Sequence, residues 1–460
     1  MATRELTKTA TRPAPSGSAH SSRHSPGLTL AAALLGVALI TLDASVVNVA
    51  LPAIGEALGG GMSGLQWVVD AYVLALAALM LSTGAFADRT GATRAYAIGI
   101  ALFTAASVAC GLAPSMGALI VARVVQGIAA AVVLPASLSL VRQAYPDAAR
   151  RARAVALWTA GGSVAVALGP VAGGALTALW GWRAIFFVNL PLGAAALVLL
   201  TRAPRSPRRP APLDLPGQLT AVLALTALTF SVIEGGWAGL VSLGVALAAA
   251  AAFLLIEARQ PHPVVPLGLF RNRTVAVAVS AGAAVSVAFY GMVFVFSLFF
   301  QQVQGRSALQ AGLLFLPMTG LIAVVNVVAG KLASRFGPRL PMLLGQSLAV
   351  LGLLLLQFAD ARTPAPLLAL LLVPMALGCA MTIPPLTAAM MDAVPGERAG
   401  VAAGVLNAAR QLAGGLAVAA FGTLLADDFA SGLRASLLLS AGLLAVTALA
   451  TARLPRGKQG

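Results

Sequence analysis

Four ionisable residues stand inside long apolar runs, where a charge would do chemistry or need a partner. Asp43 lies in the run 28–52, Asp70 in 65–87, Arg123 in 116–141 and Arg410 in 400–425. An ionised side chain at the centre of a bilayer costs at least about 2.5–3.5 kcal/mol, so such residues mark proton relays, substrate paths or ion pairs. Asp43 falls about 15 residues into its run, roughly 20 Å along a helix and in the outer half of a membrane. A carboxylate there is poised to load and release a proton; the structural alternative is a packing or capping group. Asp70 stands five or six residues into its run beside Trp67 and Tyr72. It suits a second proton site or a carboxylate that attracts a cationic substrate, with a solvated role near a helix start as the bland reading. Arg123 demands a carboxylate partner, and Gln126, one turn on, shares its helix face.

The elements that carry these residues are membrane helices. The chain has 460 residues, 59% hydrophobic and 10% charged, too apolar for a water-soluble domain. Uncharged stretches such as 28–42, 219–233 and 367–381 reach, with their flanks, the roughly 20 residues a spanning helix needs. An all-α polytopic membrane protein is expected, because helices satisfy their own backbone hydrogen bonds in lipid. Spans are placed near 28–52, 65–87, 95–113, 116–141, 154–178 and 182–201. Two more lie near 217–234 and 238–256, then six near 275–300, 309–332, 340–358, 366–391, 400–425 and 433–453. That makes fourteen helices as 6+2+6. Residues 1–27 read as a disordered cytoplasmic tail and 454–460 as a cytoplasmic tail, 28–202 and 275–453 as six-helix bundles, and 203–274 as the inserted pair with its cytoplasmic linkers.

Charge gives the direction. With both termini in the cytoplasm, cytoplasmic segments hold 24 of the 30 basic residues, and Arg183, Arg306, Arg362 and Arg434 lie outside, as the positive-inside rule requires. The net charge of +16 is spread between apolar runs, which argues against nucleic acid. Cys110 and Cys379 lie within spans and read as packing residues. The sequence has no Walker loop and no metal-ligand cluster, and its three His residues, His20, His24 and His262, lie in a tail or loop. An enzyme is not expected.

A repeat relates the bundles. Gly84-Ala-Phe-Ala-Asp88-Arg89-Thr-Gly91-Ala-Thr-Arg94 returns as Gly330-Lys331-Leu-Ala-Ser-Arg335-Phe-Gly337-Pro-Arg339 at an offset of 246. Such parallel halves place a site between them near mid-membrane.

The sequence closely resembles the major facilitator superfamily, in particular its fourteen-span drug:proton antiporter branch. The resemblance rests on Leu42-Asp43-Ala-Ser-Val-Val-Asn48-Val-Ala-Leu-Pro52, the 84–94 loop, Arg123-Val-Val-Gln126-Gly127 with Pro135, and Gly161-Gly162 with Gly169-Pro170-Val-Ala-Gly173-Gly174. Lesser matches extend it over about residues 28–453. It implies that spans one and four line a shared cavity, which makes Asp43 the candidate partner of Arg123. Asp43, Asp70 and Arg123 are then the proton-coupling residues. Substrate-cavity candidates are Asn48, Trp67, Tyr72 and Gln126 in the first half, and Tyr290, Asn326, Asn407, Arg410 and Gln411 in the second. Gly84, Asp88, Arg89, Gly91 and Arg94 form a cytoplasmic gate, with Asp88 and Arg94 in a charge lock; Ser334 replaces the aspartate in the second copy. The 161–174 helix looks like the antiporter motif, kinked by Pro170 and close-packed by its glycines.

The expected activity is export of amphipathic drug-like molecules by a monomer in the bacterial cytoplasmic membrane, driven by the proton gradient without a bound cofactor. Import of a metabolite by proton symport is the runner-up, and a non-transporting sensor is third.

Overall fold

The computed structural model describes residues 25–203, 206, 208, 214–260, 263, 265–395 and 398–454. The two tails, apart from 25–27 and 454, and part of the loop arginine set lie outside these residues. All regular structure among the described residues is helical. Thirteen helices are long and apolar enough to cross a membrane, and Ala184–Leu200 is a shorter apolar stretch.

The first bundle comprises α1 (Pro26–Leu58), α2 (Gly61–Thr90), α3 (Ala92–Gly111), α4 (Met116–Ala144) and α5 (Ala148–Trp180). It closes with the short α6 (Ala184–Phe187) and α7 (Asn189–Leu200). An inserted hairpin follows, α8 (Leu215–Glu234) and α9 (Gly236–Arg259). The second bundle starts with α10 (Arg273–Leu298), extended by one turn of π-helix over Phe299–Val303. Next come α11 (Ala308–Leu314), α12 (Leu316–Gly320) and α13 (Ile322–Phe336), a single stretch broken twice, then α14 (Arg339–Leu355), α15 (Ala365–Asp392), α16 (Ala399–Asp427) and α17 (Phe429–Ala452). Side-chain oxygens cap many starts: Ser25, Ser115, Asp147, Asp214, Asn272, Ser307 and Asp428 each accept from a backbone N–H of the first turn. At the exposed Asp428 the backbone N–H of Ser431, reinforced by its hydroxyl, holds the carboxyl below the usual carboxylate range.

The repeat is visible in the packing. In the first half α1 packs on α4, α5 and α7, α4 on α2 and α3, and α3 on α7; in the second, α10 packs on α15, α16 and α17, α15 on α13 and α14, and α14 on α17. The repeated loop turns on the same residue in both copies, Gly91 at φ 86° and Gly337 at φ 77°, a backbone region open to glycine at no steric cost.

The halves meet along two symmetric seams, α2 against α16 and α5 against α11 and α12, with α1 touching α10 and α11. These contacts gather away from the basic loops. Gln66 Nε2 donates to Ala419 O at 2.5 Å, Ser297 Oγ to Asn48 O at 2.7 Å and Gln301 Nε2 to Val49 O at 2.9 Å. At the same end Trp180, Trp237 and Phe358 are 72%, 80% and 83% exposed, as in an interfacial aromatic belt. The hairpin lies against both α2 and α16. Gln218 binds Ala78 O and the Ser82 hydroxyl, Glu234 accepts from Ser63 and Trp67, and Thr423 donates to Val232 O.

Candidate functional site

Asp43 sits in the middle of α1, 17 residues from one end and 15 from the other, more central in its helix than in the apolar run 28–52. The reason is that α1 continues through Pro52 to Leu58. Around it four helices converge. Arg123 Nη1 of α4 donates to Asp43 Oδ2 at 2.5 Å and to Gln126 Oε1 at 2.9 Å, while Arg123 Nε reaches Val68 O at 3.0 Å. Gln126 Nε2 donates to Asp43 Oδ1 at 3.0 Å and to Ser107 Oγ of α3 at 2.7 Å. Asn189 Nδ2 donates to the same two oxygens at 2.8 and 3.1 Å. The Tyr72 ring lies 4.2 Å from the Arg123 guanidinium carbon. Asp43 is 0% and Arg123 1% exposed.

This is the one ion pair between described residues. In so dry a setting neither charge survives alone: removing one partner of a buried pair costs about 3–5 kcal/mol. Loss of the charge on Asp43 would therefore unsettle Arg123, Gln126, Ser107 and Asn189 together. Sequence reasoning reached Asp43, Arg123 and Gln126. It missed Ser107 and Asn189, for which the one signal was an Asn at the break between α6 and α7 around Val188.

Asp70 is nine residues into α2, deeper than expected, because Gly61 to Gly64 add a helical turn ahead of the apolar run. It is 0% exposed and neither carboxylate oxygen has a hydrogen-bond partner. Across the seam it faces Gly415 of α16, where a Cβ would come within 3.3 Å of Asp70 Oδ1. The other cavity candidates scatter. Tyr72 is fully buried under Arg123 and donates to Ile40 O at 3.2 Å, so it belongs to the ion-pair network. Trp67 is tied to Glu234 at 3.2 Å. Asn48 binds its own helix at Ala44 O, leaving Oδ1 buried and unpartnered. Tyr290 is half-buried against Gly414, Asn326, Arg410 and Gln411 are half-buried, and Asn407 is exposed.

Three prolines inside helices each free a carbonyl four residues back, and in each case a hydroxyl from another helix takes the place of the missing N–H. Pro170 frees Val166, which accepts from Ser45 Oγ of α1 at 3.1 Å. Pro135 frees Ala131, which accepts from Thr83 Oγ1 of α2 at 2.6 Å. Pro52 frees Asn48, which accepts from Ser297 of the opposite half. Through this bond α5 attaches to α1 two residues from Asp43. Glycines complete the fit: a Cβ on Gly161 would strike Leu34, on Gly162 would press on Val37, and on Gly169 and Gly173 would strike Ser45 and Val46 of α1. Gly174 faces the other way, onto the backbone of Ala308 and Leu309, and Gly312 of α11 rests on the Pro170 carbonyl. The motif is therefore both an internal packing face and part of the seam.

In the 84–94 loop Asp88, Arg89 and Arg94 are exposed and Gly84 is half-buried. No ion pair joins Asp88 to Arg94 here; the loop instead docks the segment that follows α7. Ser206 Oγ accepts from Thr93 N at 3.2 Å and donates to Gln143 Oε1 at 2.5 Å, and the Ser206 carbonyl approaches Gly91 so closely that a Cβ there would lie 2.8 Å away.

Residues 33–418 match the Major Facilitator Superfamily. The chain belongs to that superfamily. It is a transporter and not an enzyme. Among its relatives is "Multidrug resistance protein Stp" of Mycobacterium tuberculosis, 42% identical over 410 residues, covering 87% of this chain and 76% of that protein. "Methylenomycin A resistance protein" of Streptomyces coelicolor is 37% identical, covering 87% and 86%. "Tetracenomycin C resistance and export protein" of Streptomyces glaucescens is 35% identical, covering 91% and 80%. Among solved structures, a D-xylose-proton symporter superposes with a TM-score of 0.69 at 16% identity, covering 94% of this chain and 99% of the other. At that identity the likeness speaks for the superfamily fold alone.

Proposed function

We propose that this superfamily member is a proton-coupled antiporter that exports drug-like or antibiotic molecules across the bacterial cytoplasmic membrane. The observation that carries the proposal is the buried Asp43–Arg123 pair with Gln126, Ser107 and Asn189 around it. A transporter needs a titratable group whose protonation changes the stability of a conformation, and this network changes its charge balance with one proton. The names of the relatives, multidrug resistance, methylenomycin A resistance and tetracenomycin C export, favour a cargo of that kind and an outward direction.

In this reading Ala184–Leu200 is a fourteenth span, and the helices divide 6+2+6 with both termini in the cytoplasm. The apolar character of that stretch and the basic bias of one end support that layout. Closure of both seams at the end away from the basic loops fits a state open toward the cytoplasm, with the halves rocking about a central site. A proton entering through Asp43 supplies about 2.3 kcal/mol per 100 mV, and Asp70 is the second candidate for carrying it. In the opposite access state the exposed 84–94 loop would close the cytoplasmic side, with Asp88 and Arg94 forming their lock. The cargo would be an amphipathic small molecule, with no cofactor and no second subunit required. The test is proton release in proteoliposomes upon addition of substrate, comparing wild type with Asp43→Asn.

A further inference from the structure

Among the described residues, two acidic and two basic side chains stand two turns or more inside helices near the centre of the bundles, Asp43, Asp70, Arg123 and Arg410, and they do not all pair off. Asp43 neutralises Arg123. Asp70 and Arg410 are left, one in each half, and no ion pair joins them. Their positions explain why: Asp70 faces Gly415, five residues along α16 from Arg410, about 7.5 Å of helix rise. The two residues differ in what they can do about their isolation. A carboxylate can neutralise itself by taking a proton; a guanidinium stays charged and offers five donors with no acceptor. The unmet demand for an opposite charge therefore rests on Arg410.

Arg410 points into the second bundle. Its Cγ and Cδ lie against Gly282 of α10, where a Cβ would come within 3.3–3.4 Å, and the titratable side chains acting on it electrostatically are Tyr290 of α10 and Cys379 of α15, with no carboxylate among them. Nε is buried and makes no hydrogen bond. The residue as a whole is half-buried, and its two terminal nitrogens, unlike Nε, are not among the enclosed side-chain atoms that lack a partner. Gly282 gives the side chain its room, Gly414 brings Tyr290 close, and the half-buried Phe289 packs edge-on against Tyr290 at 5.4 Å. A planar acid would find a guanidinium for its carboxylate and an aromatic wall for its ring.

We propose that Arg410 is the recognition site for an anionic group of the cargo, and that the transporter selects molecules bearing a carboxylate or a comparably acidic oxygen on an aromatic or other apolar frame. This proposal rests on the transport reading above and sharpens it to a substrate class. A guanidinium can take a carboxylate with two parallel hydrogen bonds, and a neutral ester offers neither the charge nor the paired acceptors.

The test uses purified full-length protein in lipid nanodiscs at neutral pH. Tryptophan fluorescence and thermal shift follow titration with one-, two- and three-ring aromatic carboxylic acids, each beside its methyl ester. At least one acid should bind about tenfold or more tightly than its ester. That preference should vanish in Arg410→Gln and persist in part in Arg410→Lys, which keeps the charge and loses the fork. No acid outbinding its ester in wild type, or a preference that survives Arg410→Gln, overturns the proposal. The wild-type comparison decides even should a variant misfold. Acid preference without proton-coupled flux would uphold this site and overturn the antiporter reading; flux without acid preference would do the reverse.

Discussion

Ser297→Ala should loosen the seam between the halves by a calculable amount. Pro52 denies the Asn48 carbonyl its helical donor, and Ser297 of the opposite half, itself 0% exposed, supplies the replacement at 2.7 Å. Removing the hydroxyl leaves a buried carbonyl unpaired, at a cost of about 1–3 kcal/mol, all of it charged to the state in which this seam is closed. The ratio of closed to open molecules should then fall by a factor of about 5–150. Spin labels at Glu56 and Arg306, both exposed at that end, would report the ratio by pulsed dipolar spectroscopy, and the two native cysteines are buried and out of reach of the label. Pro52→Ala supplies the control. It returns an N–H to the helix, so Ser297→Ala added to that background should change the ratio little. An unchanged distance distribution in Ser297→Ala, or an equal effect in both backgrounds, would refute the reasoning.

Two further predictions concern the packing around the site. Gly312→Val places a side chain against the Pro170 carbonyl; the seam should resist closing by about 1–3 kcal/mol, seen as a loss of the short-distance population in the same measurement with folding retained. Asn189→Leu removes a donor from both Asp43 and Ser107. It should lower thermal stability by about 1.5–3 kcal/mol, as for a hydrogen bond to a charged group, and slow proton-coupled transport; a variant as stable and as active as wild type would count against Asn189 as a member of the network.

Much of this was legible in the sequence, for physical reasons that differ from residue to residue. Asp43 and Arg123 stand out because charge in an apolar run is costly, and Gln126 because it lies three residues from Arg123 on one helix face. The repeat was legible as an offset of 246 because both copies need a glycine in the same turn, Gly91 and Gly337. Ser107 and Asn189 were not legible: neutral polar residues are tolerable almost anywhere in a helix, and only the tertiary arrangement of α3 and α7 turns them toward Asp43. The prolines were visible while the hydroxyls that compensate them, Ser45, Thr83 and Ser297, were not, since each comes from another helix. Helix ends moved for a related reason. Gly61 to Gly64 look like a loop by composition but continue α2, and that shift carries Asp70 deeper. The charges of the 84–94 loop gave no hint that Ser206 would dock there.

The central proposal is that protonation of Asp43 is coupled to transport. Proteoliposomes holding wild-type protein and a pH-sensitive dye should show substrate-dependent proton movement, and Asp43→Asn, folded and still able to bind substrate, should show none. Proton movement undiminished in Asp43→Asn would contradict the account.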